Sequence, residues 1–303
     1  MPDLSTLIVG HVTHDRYGDR LRAGGCAFYG GLTHRALGSR VELASVVGED
    51  FCCDHELRRP GLELDLPPRR GGNTTLFHNV YPPGEYRVQT LEAVAEPVRP
   101  SAVSPRRRDI LHLAPVLHEV DLNAWLARVP ARWVGINAQG WTRAVVSQVS
   151  GPARVGTRPW QVSMETLRRV DVACLSEEDL VGQGDLLARL RAAVGVVVLT
   201  DGERGCTVYV GDRSARVGIC RAVSVDPTGA GDVFAAAFLH AIARGEGWLN
   251  AAQLASAAAS VVIEAQGASA ISLLPELVQP RRDRLRATAE PQPCGSAATA
   301  WGD

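Results

Sequence analysis

Asp226-Pro-Thr-Gly-Ala-Gly-Asp232, followed by Val-Phe-Ala-Ala-Ala-Phe238, is the most informative segment of the chain. The residues after Asp232 are almost all apolar, which predicts a helix that is buried on every side. Gly229 and Gly231 allow a sharp turn and let a ligand approach the backbone closely. We therefore expect the amides of Gly229, Ala230 and Gly231 at a helix N-terminus, where free N–H groups and the helix dipole favour an anion.

Asp232 is the unusual residue of this loop, because a carboxylate beside an anion site repels the anion. It has a use there if it accepts a proton from a hydroxyl that attacks the anion. An anion site with a base describes phosphoryl transfer to a hydroxyl. The alternative is a tight turn in which Asp232 only caps the helix. The preceding residues, Arg221-Ala-Val-Ser-Val225, are expected to form a strand that enters the loop.

Length and composition predict a globular enzyme of one main domain. The 303 residues suffice for one large α/β domain and a small accessory piece. The net charge of −1 gives no field that would attract nucleic acid or a membrane surface. The seven cysteines form no CxxC pair and indicate buried thiols in a reducing compartment. No basic, apolar leader and no apolar run of about 18 residues is visible, so we expect a cytoplasmic protein.

The basic residues exclude several enzyme classes. All 32 are Arg, and the sequence contains no Lys. A Walker P-loop and a protein kinase both place a Lys on the nucleotide phosphates. Schiff-base enzymes need an amine nucleophile. The chain is therefore not expected to use any of these mechanisms in their usual form.

Polar residues follow several predicted strands at the edge where open α/β sheets bind ligands. Asp15 comes after a buried strand at residues 4–9 and is a candidate to bind substrate hydroxyls, although it could also be a turn residue. Gly24 and Gly25 precede a predicted helix and would bring substrate close to the backbone. Asn137 ends another strand. Arg143 follows it in the run Gln-Gly-Trp-Thr-Arg and could bind phosphate or lie in solvent.

Three further segments are informative. Residues 74–81 and 86–91 read as two strands joined by a turn. The run Ser176-Glu-Glu-Asp179 starts a turn or helix after a strand, and it fits a capping box with an acidic first turn. Residues 280–303 are rich in Arg, Pro, Ala and Ser without periodicity, which predicts a mobile tail.

The loop sequence Asp-Pro-Thr-Gly-Ala-Gly-Asp resembles the second signature of the ribokinase-like, phosphofructokinase-B type sugar kinases. The segment from Ala23 to Gly38 resembles their first signature, but Phe28 and Tyr29 stand where relatives usually carry an Asn. The resemblance covers residues 4 to about 278. It implies an α/β fold with a doubly wound, mostly parallel sheet between helices. It also implies one kinase domain over residues 1–279, with a small β lid from about 16–22 and 74–96.

The resemblance also implies roles for the site residues. Asp232 would be the catalytic base, and the amides of Gly229, Ala230 and Gly231 would stabilise the transferred phosphoryl group. The nucleotide would be bound by Thr200, Gly202, Gly205 and Thr228. Glu178 and Asp179 stand near the family's Asn-x-x-Glu position and would hold Mg²⁺ through water, with the capping role as the alternative. Asp226 would shape the loop and face a monovalent cation.

We therefore expect ATP-dependent phosphorylation of a small polyol. The start Gly10-His-Val-Thr-His-Asp15, the aromatic pair and the Gln-Gly-Trp run look more like inositol-type kinases than ribokinases. A cyclitol such as myo-inositol is the first expectation, and a sugar or nucleoside is the second. An alternative of another class is a catalytically silent regulator that binds a nucleotide or sugar. A homodimer through the lid is a further implication, with no nucleic-acid or membrane partner.

Overall fold

The computed structural model describes residues 3–80, 88–146 and 153–288. The strands are β1 (Ser5–Val9), β2 (Thr13–Tyr17), β3 (Arg20–Gly24), β4 (Arg40–Ala44), β5 (Val47–Gly48), β6 (Arg69–Arg70), β7 (Leu76–Val80), β8 (Val88–Ala93), β9 (Arg108–Leu113), β10 (Ala131–Asn137), β11 (Arg143–Val146), β12 (Ala153–Thr157), β13 (Val172–Ser176), β14 (Val196–Thr200), β15 (Cys206–Val210) and β16 (Arg213–Val217). The α-helices are α1 (Cys26–Ala36), α2 (Asp54–Leu57), α3 (Leu122–Arg128), α4 (Gln139–Thr142), α5 (Met164–Leu167), α6 (Leu186–Ala193), α7 (Ala230–Ala243), α8 (Trp248–Val262) and α9 (Leu274–Thr288).

An eight-stranded sheet forms the centre of the protein, in the order β16-β15-β14-β13-β10-β9-β1-β4. The six strands from β14 to β4 are parallel, and β15 and β16 run antiparallel at one edge. The parallel strands are nearly continuous apolar runs, as expected for strands covered on both faces. The predicted doubly wound, mostly parallel fold is therefore confirmed.

Alternate residues of each central strand face two separate cores. In β1, Ile8 packs into the core that includes α1, α7 and α8. Leu7 and Val9 face the other core, which includes Trp125 of α3 and Leu190 of α6. This alternation follows from the two-residue period of a strand. Because helices cover both faces, the open edge at the strands' carboxyl ends is where a ligand can enter.

A second, six-stranded sheet has the order β11-β12-β8-β7-β2-β3. It contains the β2–β3 hairpin and the pair β7 and β8, which correspond to the two segments predicted for a lid. The predicted turn between β7 and β8 lies at residues 81–87, outside the described residues. No helix in the described ranges is long and apolar enough to span a membrane.

The strand predicted at Arg221–Val225 is wrong, because these residues have no regular structure. Val223 and Val225 are 77% and 63% exposed, so their alternation does not mark a core-facing strand. The backbone N–H groups of Val225 and Asp226 instead donate to the carbonyl of Ile263, which anchors the segment to the end of α8.

The tail prediction is wrong for residues 280–288, which are helical. Helix α9 continues through Pro280 to Thr288. Arg282 is buried there and forms an ion pair with Glu246. The Arg281 guanidinium donates to the carbonyl of Ser260 at 2.9 Å. Tertiary contacts thus stabilise a polar helix that sequence periodicity does not reveal. Residues 289–303 of the predicted tail lie outside the described residues.

Candidate active site

Asp232 lies in the first turn of α7, at the carboxyl edge of the central sheet. Gly229 caps this helix with a left-handed backbone conformation, at a φ of 80°. A Cβ at Gly229 would stand 2.4 Å from the ring of Tyr29, so the turn requires glycine for both conformation and space. Asp232 itself is half-buried, and the amide of Asn137 donates to its Oδ1 at 3.1 Å. Its side chain is thus held in place at the N-terminus of α7.

The loop before α7 separates two cavities. Thr228, Gly229 and Asp232 line a small cleft on one side, and Ala230 and Gly231 line a larger cavity on the other. A group transferred between ligands in the two cavities would cross at this loop. We call the small one the acceptor cleft and the large one the donor cavity.

Fewer than the three predicted amides are available to bind an anion at this loop. The N–H of Ala230 donates to the carbonyl of Pro227 at 3.2 Å, so this amide is not available to a ligand. A Cβ added at Gly231 would meet nothing within 4 Å, so the backbone there is open to the donor cavity. Gly229 faces the acceptor cleft instead. The helix dipole of α7 still favours an anion at this end.

The donor cavity has a volume of about 510 Å³, which is within the usual range for small-molecule sites. Thr200, Gly202 and Gly205 lie on its wall, as predicted. Thr228 does not; it is buried on the acceptor side. The rest of the wall is largely apolar and comes from segments far apart in the chain. Its members include Ile219, Ala222, Phe234, Ala259 and Ile263.

The acceptor cleft is lined mainly by groups that can bind hydroxyls. Asp15, Gly25, Arg143 and Asp232 lie on it as predicted. Further members come from β2, α1, β7, β8, the loop after β9 and α4. These are Thr13, Cys26, Tyr29, Phe77, Asn79, Gln89, Val116 and Gln139. Thr13, Tyr29 and Gln139 lie in runs already noted in the sequence, whereas no local pattern marks the members on β7 and β8. The cleft encloses only about 30 Å³, roughly the volume of one water.

Asp15 lies within β2 and not in a turn, so the alternative interpretation is wrong. Its carboxylate is buried and accepts a hydrogen bond from the Thr13 hydroxyl at 2.9 Å. Gly24 does not line the cleft, but a Cβ there would lie 2.4 Å from the carboxylate. The first glycine of the pair therefore makes room for Asp15, and Gly25 lies on the cleft wall.

Arg143 is a buried residue, not a solvated one. Its guanidinium donates to the side-chain carbonyl of Gln139 at 2.7 Å, which aims it along the cleft wall. A buried guanidinium attracts anions much more strongly than one in water, because solvent screens it less. This placement favours the predicted phosphate-binding role.

Asn137 is not on the cleft wall but connects Asp232 to two buried histidines. The ring Nε2 of His112 lies 3.0 Å from Asn137 Oδ1, and His34 Nε2 lies 3.1 Å from His112 Nδ1. Because the Asn137 amide donates to Asp232, its oxygen accepts from His112 Nε2–H. His112 Nδ1 then accepts from His34. Burial lowers the pKa of His112 to about 4, so the ring is neutral at pH 7.

Cys26 is a residue of the acceptor cleft that sequence reasoning missed. Its thiol donates to the Pro115 carbonyl at 3.5 Å and accepts from the Gln139 amide. Burial and then the negative charge of Asp232 raise its pKa well above the ordinary value. The thiol therefore stays neutral beside the carboxylate. Its position directly after the Gly24-Gly25 pair is the one signal that could have revealed it.

The three acidic residues predicted for metal binding do not meet in the structure. The group of three close metal-ligating side chains found in the described ranges is elsewhere. Asp179 accepts hydrogen bonds from the backbone and hydroxyl of Ser176, both at 2.8 Å, which confirms the capping alternative. Glu178 is half-buried next to it. These residues do not fit a magnesium ion held directly by protein carboxylates.

Asp226 is buried, and its carboxylate forms hydrogen bonds with residues of three segments. Its carboxylate accepts hydrogen bonds from the amides of Thr228 at 3.0 Å and Gly267 at 2.9 Å. The hydroxyl of Tyr17 donates to it at 3.0 Å. These contacts favour the predicted loop-shaping role over the cation-binding role.

The amino-acid sequence matches the model of the pfkB family of carbohydrate kinases over residues 143–276. It is 29% identical to inositol 3-kinase of Oryza sativa subsp. japonica over 281 residues, which cover 84% of this chain and 67% of the relative. It is also 40% identical to a nucleoside kinase of Methanothermobacter thermautotrophicus over 73 residues, which are 24% of this chain and 23% of that protein. Over residues 143–276 the chain is thus similar to the pfkB family of carbohydrate kinases.

Solved structures have the same fold. A pyrophosphate-dependent myo-inositol-1 kinase converted into a myo-inositol-3 kinase superposes with a TM-score of 0.72 at 20% identity, covering 92% of this chain and 99% of that one. The nucleoside kinase of Methanocaldococcus jannaschii gives 0.69 at 19% identity, covering 93% and 99%. This ribokinase-like protein is a phosphotransferase that acts on a hydroxyl group.

Proposed function

We propose that the protein transfers the γ-phosphoryl group of ATP to a hydroxyl of a cyclitol such as myo-inositol. The observation that carries this proposal is the position of Asp232. Its carboxylate lies at the loop between a polar cleft and a larger cavity, at the N-terminus of a buried helix. This is the place where a base can deprotonate a hydroxyl while the helix end holds the phosphate that it attacks.

The proposed reaction uses residues on both sides of the loop. Asp15 would accept hydrogen bonds from acceptor hydroxyls and orient the ring. Asp232 would take the proton of the attacking hydroxyl, a role typically worth ~10²–10⁴ in rate. The open backbone at Gly231, the dipole of α7 and the Arg143 guanidinium would stabilise the charge on the transferred group.

The donor cavity supports a nucleotide donor. A pyrophosphate donor would need only the anion-binding end near Gly231. The apolar wall formed by Ile219, Phe234 and Ile263 extends the cavity to about 510 Å³ and gives a surface on which a flat base can pack. We therefore expect ATP to be a better donor than pyrophosphate.

Magnesium, when bound, would neutralise charge on the donor phosphates. Because the described carboxylates form no direct cage, the ion would be held by phosphate oxygens and water, the usual arrangement for Mg²⁺. Ser176 pairs in register with Thr200 of the donor wall, so the turn that carries Glu178 and Asp179 follows β13 at this edge. We propose that Glu178 bonds the ion's water shell, while Asp179 shapes the turn.

The acceptor cleft favours a compact polyol. Its side chains are mostly hydrogen-bonding groups, and the enclosed space is small. The β2–β3 and β7–β8 strands, which carry Asp15 and Gln89, would act as the lid that opens to admit the acceptor. Val145 and Val146 are about half exposed on the outer strand β11 of this sheet, which supports a homodimer through the lid.

A nucleoside is the second candidate acceptor. The local identity of 40% to an archaeal nucleoside kinase favours it, and Phe77 and Tyr29 on the cleft wall could stack on a base. A nucleoside needs more room than a cyclitol, so it would require a wider opening of the lid. The catalytically silent regulator is disfavoured by the hydrogen bond that holds Asp232 in place.

A substrate panel tests the proposal. The purified protein is incubated with ATP and Mg²⁺ and with myo-inositol, ribose, fructose or inosine, and ADP release is measured. Parallel assays replace ATP with pyrophosphate. We expect turnover to be fastest with ATP and myo-inositol. Faster turnover with inosine would support the second candidate. Nucleotide-dependent thermal stabilisation without release from any substrate would support the regulator.

A further inference from the structure

A cluster of soft metal ligands lies outside both cavities. The ring of His14 and the thiols of Cys52 and Cys53 offer three ligand atoms that all lie within 4.8 Å of one another. His14 is on β2, and the cysteines are in the loop before α2, so the ligands come from segments 38 residues apart. Cys52 is exposed, contrary to the expectation that the cysteines are buried, and gives solvent access to the cluster.

We propose that His14, Cys52 and Cys53 form a binding site for Zn²⁺ or a similar thiophilic divalent cation. The fourth position of a tetrahedral ion would be taken by water. This site is separate from the magnesium that the kinase reaction would use, and the proposal does not rest on the proposed substrate.

The distances fit a tetrahedral zinc ion. Bond lengths of about 2.3 Å to sulfur and about 2.0–2.1 Å to nitrogen imply about 3.8 Å between two sulfurs and about 3.6 Å between sulfur and nitrogen. The two thiol sulfurs are 3.9 Å apart, and the Cys52 sulfur is 3.6 Å from His14 Nε2. The Cys53 sulfur lies within 4.8 Å of the other two ligand atoms, and binding the ion would replace its hydrogen bond to the Leu21 carbonyl.

His14 presents an unprotonated nitrogen to the cysteines. The Cys52 backbone N–H donates to His14 Nε2 at 3.3 Å, so this nitrogen carries a lone pair on the side of the cysteines. Two thiolates and a neutral imidazole would cancel the charge of a divalent ion, which reduces the desolvation cost at a half-buried site.

Charged groups of both signs lie near the three ligands. Asp50 faces His14 and Glu56 faces Cys53, while Arg16 and Arg22 are the basic groups near the two ligands. Because both thiols must lose a proton to bind the ion, affinity rises with pH. Zinc would connect β2 to the loop before α2. Residue 15 follows His14 on β2, so the ion would also restrain the strand that carries Asp15.

Cobalt and zinc titrations of the full-length, chelator-treated and reduced protein test the site. We expect one Zn²⁺ per chain by equilibrium dialysis. Co²⁺ should give the visible bands of a tetrahedral ion and a thiolate-to-cobalt charge-transfer band, and Zn²⁺ should displace it. The variants Cys52→Ser and Cys53→Ser should each lose the charge-transfer intensity of one thiolate and weaken zinc binding at least about 10-fold.

Cys220→Ser is the matched control, because it removes a half-buried thiol that is not in the cluster. It should bind zinc like the unmodified chain. Thermal unfolding without metal shows whether each variant is folded, and Cys52→Ser changes an exposed side chain. Zinc binding of equal strength in Cys52→Ser, Cys53→Ser and the control would overturn the proposal, as would a cobalt complex without thiolate absorption.

Discussion

At the residue scale, a series of hydrogen bonds among polar side chains positions the Asp232 carboxylate. Asn137 donates to the carboxylate, His112 lies against Asn137, and His34 lies against His112. Each member fixes the orientation of the next, because an amide or imidazole has distinct donor and acceptor ends. The position of Asp232, the proposed base, therefore depends on residues from β9, β10 and α1 that do not line the cleft.

The His112 ring can be tested by two substitutions. His112→Leu leaves Asn137 Oδ1 without its donor, so the amide can turn and release Asp232. We expect kcat to fall about 10-fold with little change in KM, and stability to fall by about 1–3 kcal/mol. His112→Gln keeps an N–H donor at a similar position and should restore most of kcat. Equal kcat losses in both variants, measured by steady-state kinetics, would contradict the positioning role.

Gly229 gives a second residue-scale prediction. Gly229→Ala places a methyl group against the Tyr29 ring and forces a non-glycine residue into the left-handed region. We expect a loss of roughly 1–3 kcal/mol in the free energy of unfolding. Gly231→Ala is the control for stability, since its Cβ meets nothing within 4 Å. Urea unfolding that ranks the two variants equally would refute this account of the turn.

The sequence predicts well the site residues that are contiguous in the chain. It predicts poorly those that come from distant segments. The loop from Asp226 to Asp232 could be predicted because its glycines, its base and its buried helix are contiguous. Gln89 and His112 could not, because strand pairing and sheet order bring them to the site from distant segments. Asp179 illustrates a third case, in which one pattern fits two roles and only the contacts decide.

At the element scale, ion pairs hold strands and helices together at places that the hydrophobic periodicity of the sequence does not indicate. Arg108 of β9 is buried and donates to Glu42 of β4 at 2.6 Å, across the end of β1. The ion pair between Arg282 and Glu246 fixes α9 in a comparable way. Such pairs explain why α9 extends beyond Pro280 although the segment looked like a tail.

The Glu42 pair predicts a pH dependence. Burial alone would raise the pKa of Glu42, but hydrogen bonds from Arg108 and Arg106 outweigh it and hold the pKa below 4.5. The pair therefore stabilises the fold above pH 4.5, and this contribution is lost as pH falls through the lower, folded pKa. Glu42→Gln should cost about 1 kcal/mol at pH 7, since solvent partly screens the pair.

The measurement is urea unfolding of both proteins from pH 7 to pH 3. The difference in unfolding free energy between the unmodified chain and Glu42→Gln should shrink below pH 4.5. A difference that stays constant over this range would show that Glu42 has an unshifted pKa. Exposed Glu203→Gln, in the turn after β14, serves as the control for removing a surface carboxylate.

At the scale of the whole molecule, the proposed reaction predicts that the second sheet moves relative to the central sheet to admit the acceptor. The acceptor cleft is lined partly by strands of the second sheet and encloses only about 30 Å³. The donor cavity is formed by the central sheet, α7 and α8 and already has room for a ligand. This division could be predicted from the lid pattern, but the degree of closure could not, since it depends on side-chain packing between the sheets.

Hydrogen exchange can follow this motion. With ATP and myo-inositol both bound to the inactive Asp232→Asn protein, we expect slower amide exchange in β2, β3, β7 and β8 than in the free protein, because the closed lid is then the favoured state. ATP alone should mainly slow exchange around α7. Equal amide exchange in β2, β3, β7 and β8 with and without myo-inositol would contradict the role of these strands as a lid.

The central claim is that Asp232 is the base between the two cavities, and one comparison tests it most directly. Turnover with myo-inositol and nucleotide binding by calorimetry are measured for the unmodified chain, Asp232→Asn and the exposed control Asp212→Asn. The account predicts that Asp232→Asn folds and binds ATP normally but loses at least ~10²-fold in kcat, while the control keeps full activity. Turnover by Asp232→Asn within a few-fold of the unmodified chain would contradict it.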